Sequence, residues 1–164
     1  MKRILQGCII NKLTISLVIF LISTIAISYL STKLPDKYYS YKHWIFKERN
    51  WEKQGRFYQK VFKVKLWKHR VPELADFIKT VFPKKFISEF NSEFLSKYLI
   101  ESCKAELTHW CIIFSSALFL VYADTSTFIF MFLLASMFNI PFIIIQRYNR
   151  PRIIWILKQK GMII

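Results

Sequence analysis

The chain has 164 residues, of which 54% are hydrophobic and 18% aromatic, and its 25 Lys and Arg against 10 Asp and Glu give a net charge of +15. This hydrophobic content excludes an intrinsically disordered chain, and three widely spaced cysteines exclude a disulfide scaffold. Because the apolar and the charged residues lie in separate segments, the composition favours a small basic membrane protein over an ordinary soluble domain.

The first apolar segment, residues 13–30, carries no charge. Its length is close to the roughly 20 residues that a membrane-spanning helix needs. Lys2, Arg3 and Lys12 give it a basic flank. A secretory signal peptide is the alternative interpretation. No A-x-A-like cleavage site precedes Lys33, and the apolar run is longer than the usual signal core, so we predict an uncleaved anchor.

A cationic, aromatic-rich region follows the anchor. On a helical wheel of about 100° per residue, Trp44, Trp51, Tyr58 and Phe62 fall on one stripe. The basic residues of the same stretch fall on another stripe: Arg49, Lys53, Arg56, Lys60 and Lys63. This pattern predicts an amphipathic helix lying in the membrane interface, interrupted at Gly55. The alternative is a helix packed on its neighbours with a solvated basic face.

A second amphipathic helix is predicted to begin near Lys84. Its apolar residues recur at spacings of three and four: Phe86, Ile87, Phe90, Phe94, Leu95 and Tyr98. We expect it to continue into the next apolar segment. Pro72 and Pro83 punctuate the preceding stretch and are expected to end helices. No strand pattern is found.

Two further apolar segments, residues 107–123 and 127–145, flank the short polar turn Asp124-Thr125-Ser126. They predict a helical hairpin through the bilayer. A buried helical pair in a soluble core is the alternative. Pro141, in Asn139-Ile140-Pro141, predicts a kink in the second helix. The predicted fold is therefore an all-α membrane protein with one domain, 1–164, made of an anchor (13–30), a basic amphipathic region (31–106), a hairpin (107–145) and a basic tail (146–164).

The flanking charges predict the orientation. Residues 31–106 contain 17 basic and 9 acidic residues, and the tail 146–164 contains five basic and no acidic ones. The turn between the hairpin helices has no basic residue, so we expect it outside and the main loop and tail in the cytoplasm. The N-terminus would then lie outside, which its three basic residues oppose; shallow insertion or cleavage of the first segment would resolve this conflict.

One pair of residues suggests acid–base chemistry. Glu106 and His109 are spaced i to i+3 at the start of an apolar helix, and so share a face. A carboxylate beside an imidazole can orient it as a general base. An interfacial His beside a Glu that reaches toward water, with Trp110 as an interface aromatic, is the alternative. A single Glu-x-x-His does not make a carboxylate-bridged metal site, so we predict neither metal nor cofactor.

A second group of residues suggests recognition of an anion. Five polar residues follow directly on the last apolar helix: Gln146, Arg147, Asn149, Arg150 and Arg152. With Lys68 from the basic region, they are candidates to bind a lipid headgroup or the phosphates of an acyl carrier. A plain positive-inside anchor is the alternative. Pro151 is expected to prevent simple continuation of the helix.

Four sequence runs resemble the glycosyl-4,4'-diaponeurosporenoate acyltransferase family of staphyloxanthin-type carotenoid synthesis: LPDKYY, WIFKERNWEKQGRFYQKVFKVKLWKHRVP, ESCKAELTHW and NIPFIIIQRYNRPRI. The resemblance covers about 34–72 and 98–160. It implies a bacterial cell-membrane enzyme that esterifies the glucose 6-hydroxyl of a glycosylated carotenoid, or a similar glycolipid, with a fatty acyl group. An acyl thioester, from acyl-CoA or an acyl carrier protein, would be the co-substrate.

The functional hypothesis is a membrane O-acyltransferase in which His109 removes a proton from the sugar hydroxyl and Glu106 orients the ring. Direct transfer is preferred over an acyl-enzyme, because no Cys or Ser lies beside a base. A non-catalytic adaptor that recruits partner enzymes or anionic lipid is the alternative. Membrane lipid is an expected partner. The apolar segments argue against the nucleic-acid partner that the charge alone would suggest.

Overall fold

The computed structural model describes residues 2–72 and 91–161, with side chains from residue 12 onward. These residues form helices and turns, and no strand occurs among them, which confirms the all-α prediction. The helices are α1 (Lys2–Lys33), α2 (Arg56–Phe62), α3 (Val64–Trp67), α4 (Ser92–Ser115), α5 (Phe119–Tyr122) and α6 (Thr125–Gln159). Short 3-10 helices lie at Asp36–Tyr38, Asn50–Glu52 and Ser116–Leu118.

Three helical segments are long and apolar enough to cross a membrane: Lys12–Lys33, Ser92–Tyr122 and Thr125–Gln159. Only 11% of the most apolar stretch of the first is buried inside the protein. Large apolar side chains such as Leu21, Ile25 and Leu133 are more than half exposed. Soluble proteins rarely expose apolar surface on this scale, whereas a bilayer covers it. The predicted anchor and C-terminal helices are therefore confirmed as apolar helices of spanning length.

The chain groups into two compact units. The first comprises Met1–Leu34 and Leu107–Pro141, and the second comprises Pro35–Glu106 and Phe142–Ile164. The buried core of the first unit contains Phe20, Ile112, Phe119, Met131 and Ala135. Complete burial of a large apolar side chain, such as Ile112 or Met131, contributes roughly 1.5–3 kcal/mol to the free energy of unfolding. The first unit is thus held by apolar packing between its helices.

The second unit has two apolar clusters, and α6 contributes to both. One contains Tyr58, Val64, Ile144, Ile145 and Tyr148, and the other contains Leu95, Tyr98, Leu99, Ile153 and Leu157. The expectation that Pro151 would stop the last helix is wrong, because α6 continues through it to Gln159. A proline inside a helix costs about 3 kcal/mol. Burial of α6 side chains on both sides of the proline offsets that cost.

The single amphipathic helix predicted around residues 44–63 is wrong. Turns occupy most of residues 41–49, and α2 begins only at Arg56. The reason is local backbone geometry: Lys53, Gln54 and Gly55 all have positive φ, at 49°, 57° and 77°. The predicted interruption at Gly55 is confirmed. The aromatic stripe consequently splits, with Trp44 75% exposed and Tyr58 buried.

The second amphipathic helix is confirmed where the structure describes it. The predicted start near Lys84, with Phe86, Ile87 and Phe90, lies outside the described residues. From Ser92 the helix α4 runs without a break to Ser115, so the amphipathic segment and the apolar segment share one helix. Pro83 also lies outside the described residues.

Of the predicted turn Asp124-Thr125-Ser126, only Asp124 lies outside the helices, because α6 already begins at Thr125. Its carboxylate accepts hydrogen bonds from the backbone N–H of Thr127 at 3.0 Å and from the Thr127 hydroxyl at 2.8 Å. These bonds hold the pKa of Asp124 below its ordinary value. A carboxylate at this position caps the N-terminus of α6. The turn is thereby fixed between the two apolar helices of the first unit.

The positive φ of Gly55 generates a stability prediction. A Cβ at this position would lie 2.7 Å from the backbone oxygen of Tyr148, which cannot move as a side chain can. Gly55→Ala should therefore add overpacking to conformational strain and lower the free energy of unfolding by about 2–4 kcal/mol. Unfolding of the detergent-solubilised protein, followed by circular dichroism, measures this.

Gly161→Ala is the matched control. Gly161 also has a positive φ, 64°, but a Cβ there meets nothing within 4 Å. It should cost about 1–2 kcal/mol, from strain alone. Equal losses for the two variants would contradict the close approach of Gly55 to α6.

Candidate active site

Glu106 lies at the centre of a buried ion-pair cluster. Its side chain on α4 is fully buried. One carboxylate oxygen accepts a hydrogen bond from Nε of Arg147 at 2.6 Å, and the other lies 2.7 Å from Nη1 of Arg150. Both arginines come from α6, so one carboxylate holds two cations from the neighbouring helix.

A second buried carboxylate, Glu52, completes the set. Its Oε1 accepts hydrogen bonds from Nη1 of Arg147 at 3.0 Å and from the hydroxyl of Tyr58 at 2.7 Å. The backbone N–H of Arg49 donates to its other oxygen at 3.1 Å. Burial and the Glu52 carboxylate raise the pKa of Tyr58 well above its ordinary value, so this hydroxyl remains a donor. We call Glu52, Glu106, Arg147 and Arg150 the carboxylate–arginine cluster.

The remaining donors of the two arginines bind the protein itself. Nη2 of Arg147 donates to the backbone oxygen of Ile45. Arg150, only 2% exposed, donates to the hydroxyl and the backbone oxygen of Ser102 at 3.2 and 3.0 Å and to the backbone oxygen of Phe46 at 3.1 Å. Every guanidinium nitrogen of both residues therefore has a partner. This geometry gives no support to the prediction that Arg147 and Arg150 bind a headgroup.

His109 has a different partner from the one expected. Its Nδ1 lies 2.8 Å from Oδ1 of Asn139 on α6. The amide of Asn139 is oriented by its own NH₂ group, which donates to the backbone oxygen of Ala135 at 2.8 Å. The amide oxygen therefore faces the ring, which must donate from Nδ1. A neutral imidazole protonated at Nδ1 carries its lone pair on Nε2, the atom that a base uses.

The two predicted catalytic residues thus have different hydrogen-bond partners in the structure. Glu106 and His109 lie one turn apart on α4, as the spacing predicts. Glu106 belongs to the carboxylate–arginine cluster, whereas the ring of His109 is held by Asn139. The predicted action of Glu106 on the His109 ring stays a prediction.

Lys68, Asn149 and Arg152, the other predicted binding residues, lie together. Nζ of Lys68 donates to Oδ1 of Asn149 at 3.2 Å, and the amide NH₂ of Asn149 donates to the hydroxyl of Tyr98 at 3.1 Å. Nζ of Lys68 is 5.4 Å from the centre of the Tyr148 ring, and Cζ of Arg152 is 3.8 Å from the same centre. Arg152 also donates to the hydroxyl of Tyr148. Two cations therefore converge on one aromatic ring.

Sequence reasoning missed four participants: Glu52, Tyr58, Asn139 and Tyr148. The helical wheel assigns Tyr58 to the aromatic stripe of a helix that does not form, and it gives no role to Glu52. Asn139 was noticed only as part of the Pro141 kink, although an uncharged polar residue within an apolar span is itself a functional signal. In the part of the chain that the structure describes, no three His, Cys, Asp or Glu side chains group as a metal site.

Glu106→Gln tests the carboxylate–arginine cluster. The substitution leaves Arg147 and Arg150 with one buried carboxylate between them. Removing one member of a buried ion pair costs about 3–5 kcal/mol. The variant should therefore unfold at markedly lower temperature or denaturant concentration than the wild type, measured in the same detergent.

Glu101→Gln on the same helix is the control. Glu101 lies 3.4 Å from Lys104, and its side chain is 22% exposed. Loss of this more accessible pair should cost no more than about 1 kcal/mol. If both Glu→Gln variants lose the same stability, the cluster does not hold the second unit together.

Comparison with known proteins places this sequence in a family. The model of the glycosyl-4,4'-diaponeurosporenoate acyltransferase family matches residues 42–159. The matched range spans residues 73–97, which lie between the resembling sequence runs. Curated relatives bearing the same name come from Staphylococcus aureus strains bovine RF122 / ET3-1, MRSA252 and Newman, at 38%, 37% and 37% identity over 145 residues. The alignments cover 87% of this chain and 87% of each relative.

No solved structure matches the chain. The family match covers more than half of the sequence, and the relatives are similar over most of both chains. The predicted resemblance is confirmed, and so is the prediction of an enzyme that transfers acyl groups rather than an adaptor without activity. The chain belongs to the glycosyl-4,4'-diaponeurosporenoate acyltransferase family.

Proposed function

We propose that this protein esterifies the glucose 6-hydroxyl of a glycosylated carotenoid with a fatty acyl group in a bacterial cell membrane. The names of the relatives describe an acyltransferase that acts on glycosyl-4,4'-diaponeurosporenoate. Three helices of spanning length support a membrane setting, in which a polyene and an acyl chain are both soluble. The donor is an acyl thioester, carried by coenzyme A or an acyl carrier protein.

The proposed general base is His109, and its hydrogen bond with Asn139 is the observation that carries this assignment. Donation from Nδ1 places the lone pair on Nε2. That atom takes the proton of the sugar hydroxyl while the sugar oxygen bonds to the thioester carbonyl carbon. As the carbon–sulfur bond breaks, the imidazolium returns the proton to the leaving thiolate. A base placed in this way contributes about 10²–10⁴-fold to the rate.

Glu106 has a supporting role in this proposal. It lies one helical turn before His109 and is tied to two arginines of α6. By fixing the rotation of α4, it fixes the side from which the His109 side chain leaves the helix. Glu106 is accordingly a positioning residue that acts through the helix.

The orientation proposed for the chain follows its basic residues. The described part of the basic region exposes many cations, including Lys53, Arg56 and Lys60. Basic loops are retained on the cytoplasmic side, where acyl thioesters are made. A cytoplasmic basic region would therefore meet the donor without any transfer of the thioester across the membrane.

Replacing His109 tests the base assignment. His109→Ala should lower the formation of acylated product by about 10²–10⁴-fold. The assay uses membranes containing the variant, glycosyl-4,4'-diaponeurosporenoate and palmitoyl-CoA, with the product measured by mass spectrometry. His43→Ala is the control, because His43 is exposed and distant from His109 in sequence. Turnover close to wild type in His109→Ala would refute the role of this residue.

Asn139 provides a separate test of ring orientation. Asn139→Leu removes the oxygen that Nδ1 binds, so kcat should fall by about 10-fold or more while KM for both substrates stays the same. Asn139→Asp keeps an acceptor oxygen and should restore most of kcat. If kcat falls equally in both variants and the amount of folded protein falls with it, Asn139 only supports the fold.

A further inference from the structure

The described residues of the second unit include two cations, Lys68 and Arg152, that approach one aromatic ring without forming an ion pair among those residues. Lys68 and Arg152 both approach the ring of Tyr148. Within residues 35–72, 91–106 and 142–161, neither side chain forms an ion pair with a carboxylate. This contrasts with Arg147 and Arg150, whose charges are matched by Glu52 and Glu106.

Holding two like charges near each other is unfavourable, and the structure shows what opposes the repulsion. Asn149, itself 8% exposed, anchors Nζ of Lys68, and the aromatic face and hydroxyl of Tyr148 anchor Arg152. Burial and then the charge of Arg152 lower the pKa of Lys68. An anion bound close to both cations would offset the repulsion and favour the protonated form of Lys68. The arrangement therefore has the electrostatic character of a binding site for an anion.

A groove lies beside Arg152, which forms part of its wall. It has a volume of about 340 Å³ and is open to the outside. Arg152, Arg56 and Gln54 supply donors on its walls, and Trp155 and Ile156 supply apolar surface. Trp155 is 53% exposed, so its indole is available to a chain lying in the groove. One ligand that fits both kinds of wall carries a phosphate and an apolar chain.

We propose that the groove of Gln54, Arg56, Arg152, Trp155 and Ile156, with Lys68 beside it, binds the phosphate of an acyl-bearing amphiphile. We call it the Arg152 groove. Guanidinium groups bind phosphate through paired, charge-assisted hydrogen bonds. If the protein transfers acyl groups as proposed, this ligand is the acyl donor. A coenzyme A thioester and a phospholipid both present this chemistry, and binding measurements with one probe of each kind distinguish them.

Direct binding is measured with the full chain in dodecyl maltoside micelles, which contain no phosphate. Palmitoyl-CoA is the first probe, and phosphatidylglycerol added to the micelles is the second. The signal is the change in tryptophan fluorescence that disappears in Trp155→Phe. Arg152→Gln and Lys68→Met should each weaken binding by about 10-fold or more, and Arg152→Lys by less, because a lysine keeps the charge but loses the paired geometry.

Lys158→Gln is the matched control. Lys158 is an exposed cation on the same helix that does not line the groove. Its removal should change binding by no more than about 2-fold, the effect of one distant surface charge. Thermal unfolding of each variant verifies that the second unit is intact.

A fluorescence change with palmitoyl-CoA identifies the bound phosphate as that of the thioester donor. A fluorescence change with phosphatidylglycerol alone identifies it as that of a membrane lipid. If Arg152→Gln behaves like Lys158→Gln toward both probes, the groove does not bind phosphate.

Turnover measurements keep this proposal separate from the catalytic one. His109→Ala should bind palmitoyl-CoA as the wild type does. If the wild type binds palmitoyl-CoA in an Arg152-dependent way but forms no acylated product, the proposed reaction is refuted. The proposal that the groove binds phosphate would still hold. If Arg152→Gln turns over as fast as the wild type at limiting palmitoyl-CoA, the groove is not the donor site. The proposed reaction would be unaffected by that result.

Discussion

The matching of two buried carboxylates with two buried arginines is the constraint on which the second unit depends. Glu52 and Glu106 are almost completely inaccessible, and each would cost several kcal/mol if it were left charged and unpaired. Arg147 and Arg150 neutralise them and also bind backbone oxygens of the segment before α2. That segment has little regular helix of its own. Ion pairs and backbone hydrogen bonds therefore fix a region that apolar packing alone would leave poorly defined.

The same short stretch of α6 divides its cations between two tasks. Arg147 and Arg150 are three residues apart and point toward the carboxylates, whereas Arg152 lies about 200° further round the helix than Arg150. Arg152 is thereby directed to the Tyr148 ring and the open groove. Helical phase therefore separates the two arginines that pair with the carboxylates from the one that lines the groove. The residue type, arginine in all three cases, does not distinguish these positions.

Much of the helical architecture could be predicted because long uncharged segments have few alternatives. The anchor, the hairpin and its turn at Asp124 follow from the absence of charge over whole segments. The region around Gly55 could not be predicted, since periodicity does not reveal that Lys53 and Gln54 adopt positive φ. The partners of Glu106 and His109 were missed for a related reason. Arg147 and Asn139 are 41 and 30 positions distant, and helical spacing describes only neighbours on the same helix.

The carboxylate–arginine cluster also has a consequence for biosynthesis. Glu52 and Glu106 leave the ribosome 95 and 41 residues before Arg147, their common partner. Until α6 has been translated as far as Arg150, both acidic side chains lack their partners and must stay hydrated. The second unit consequently cannot reach its native arrangement before that point of synthesis. Its maturation starts when α6 delivers the compensating positive charge.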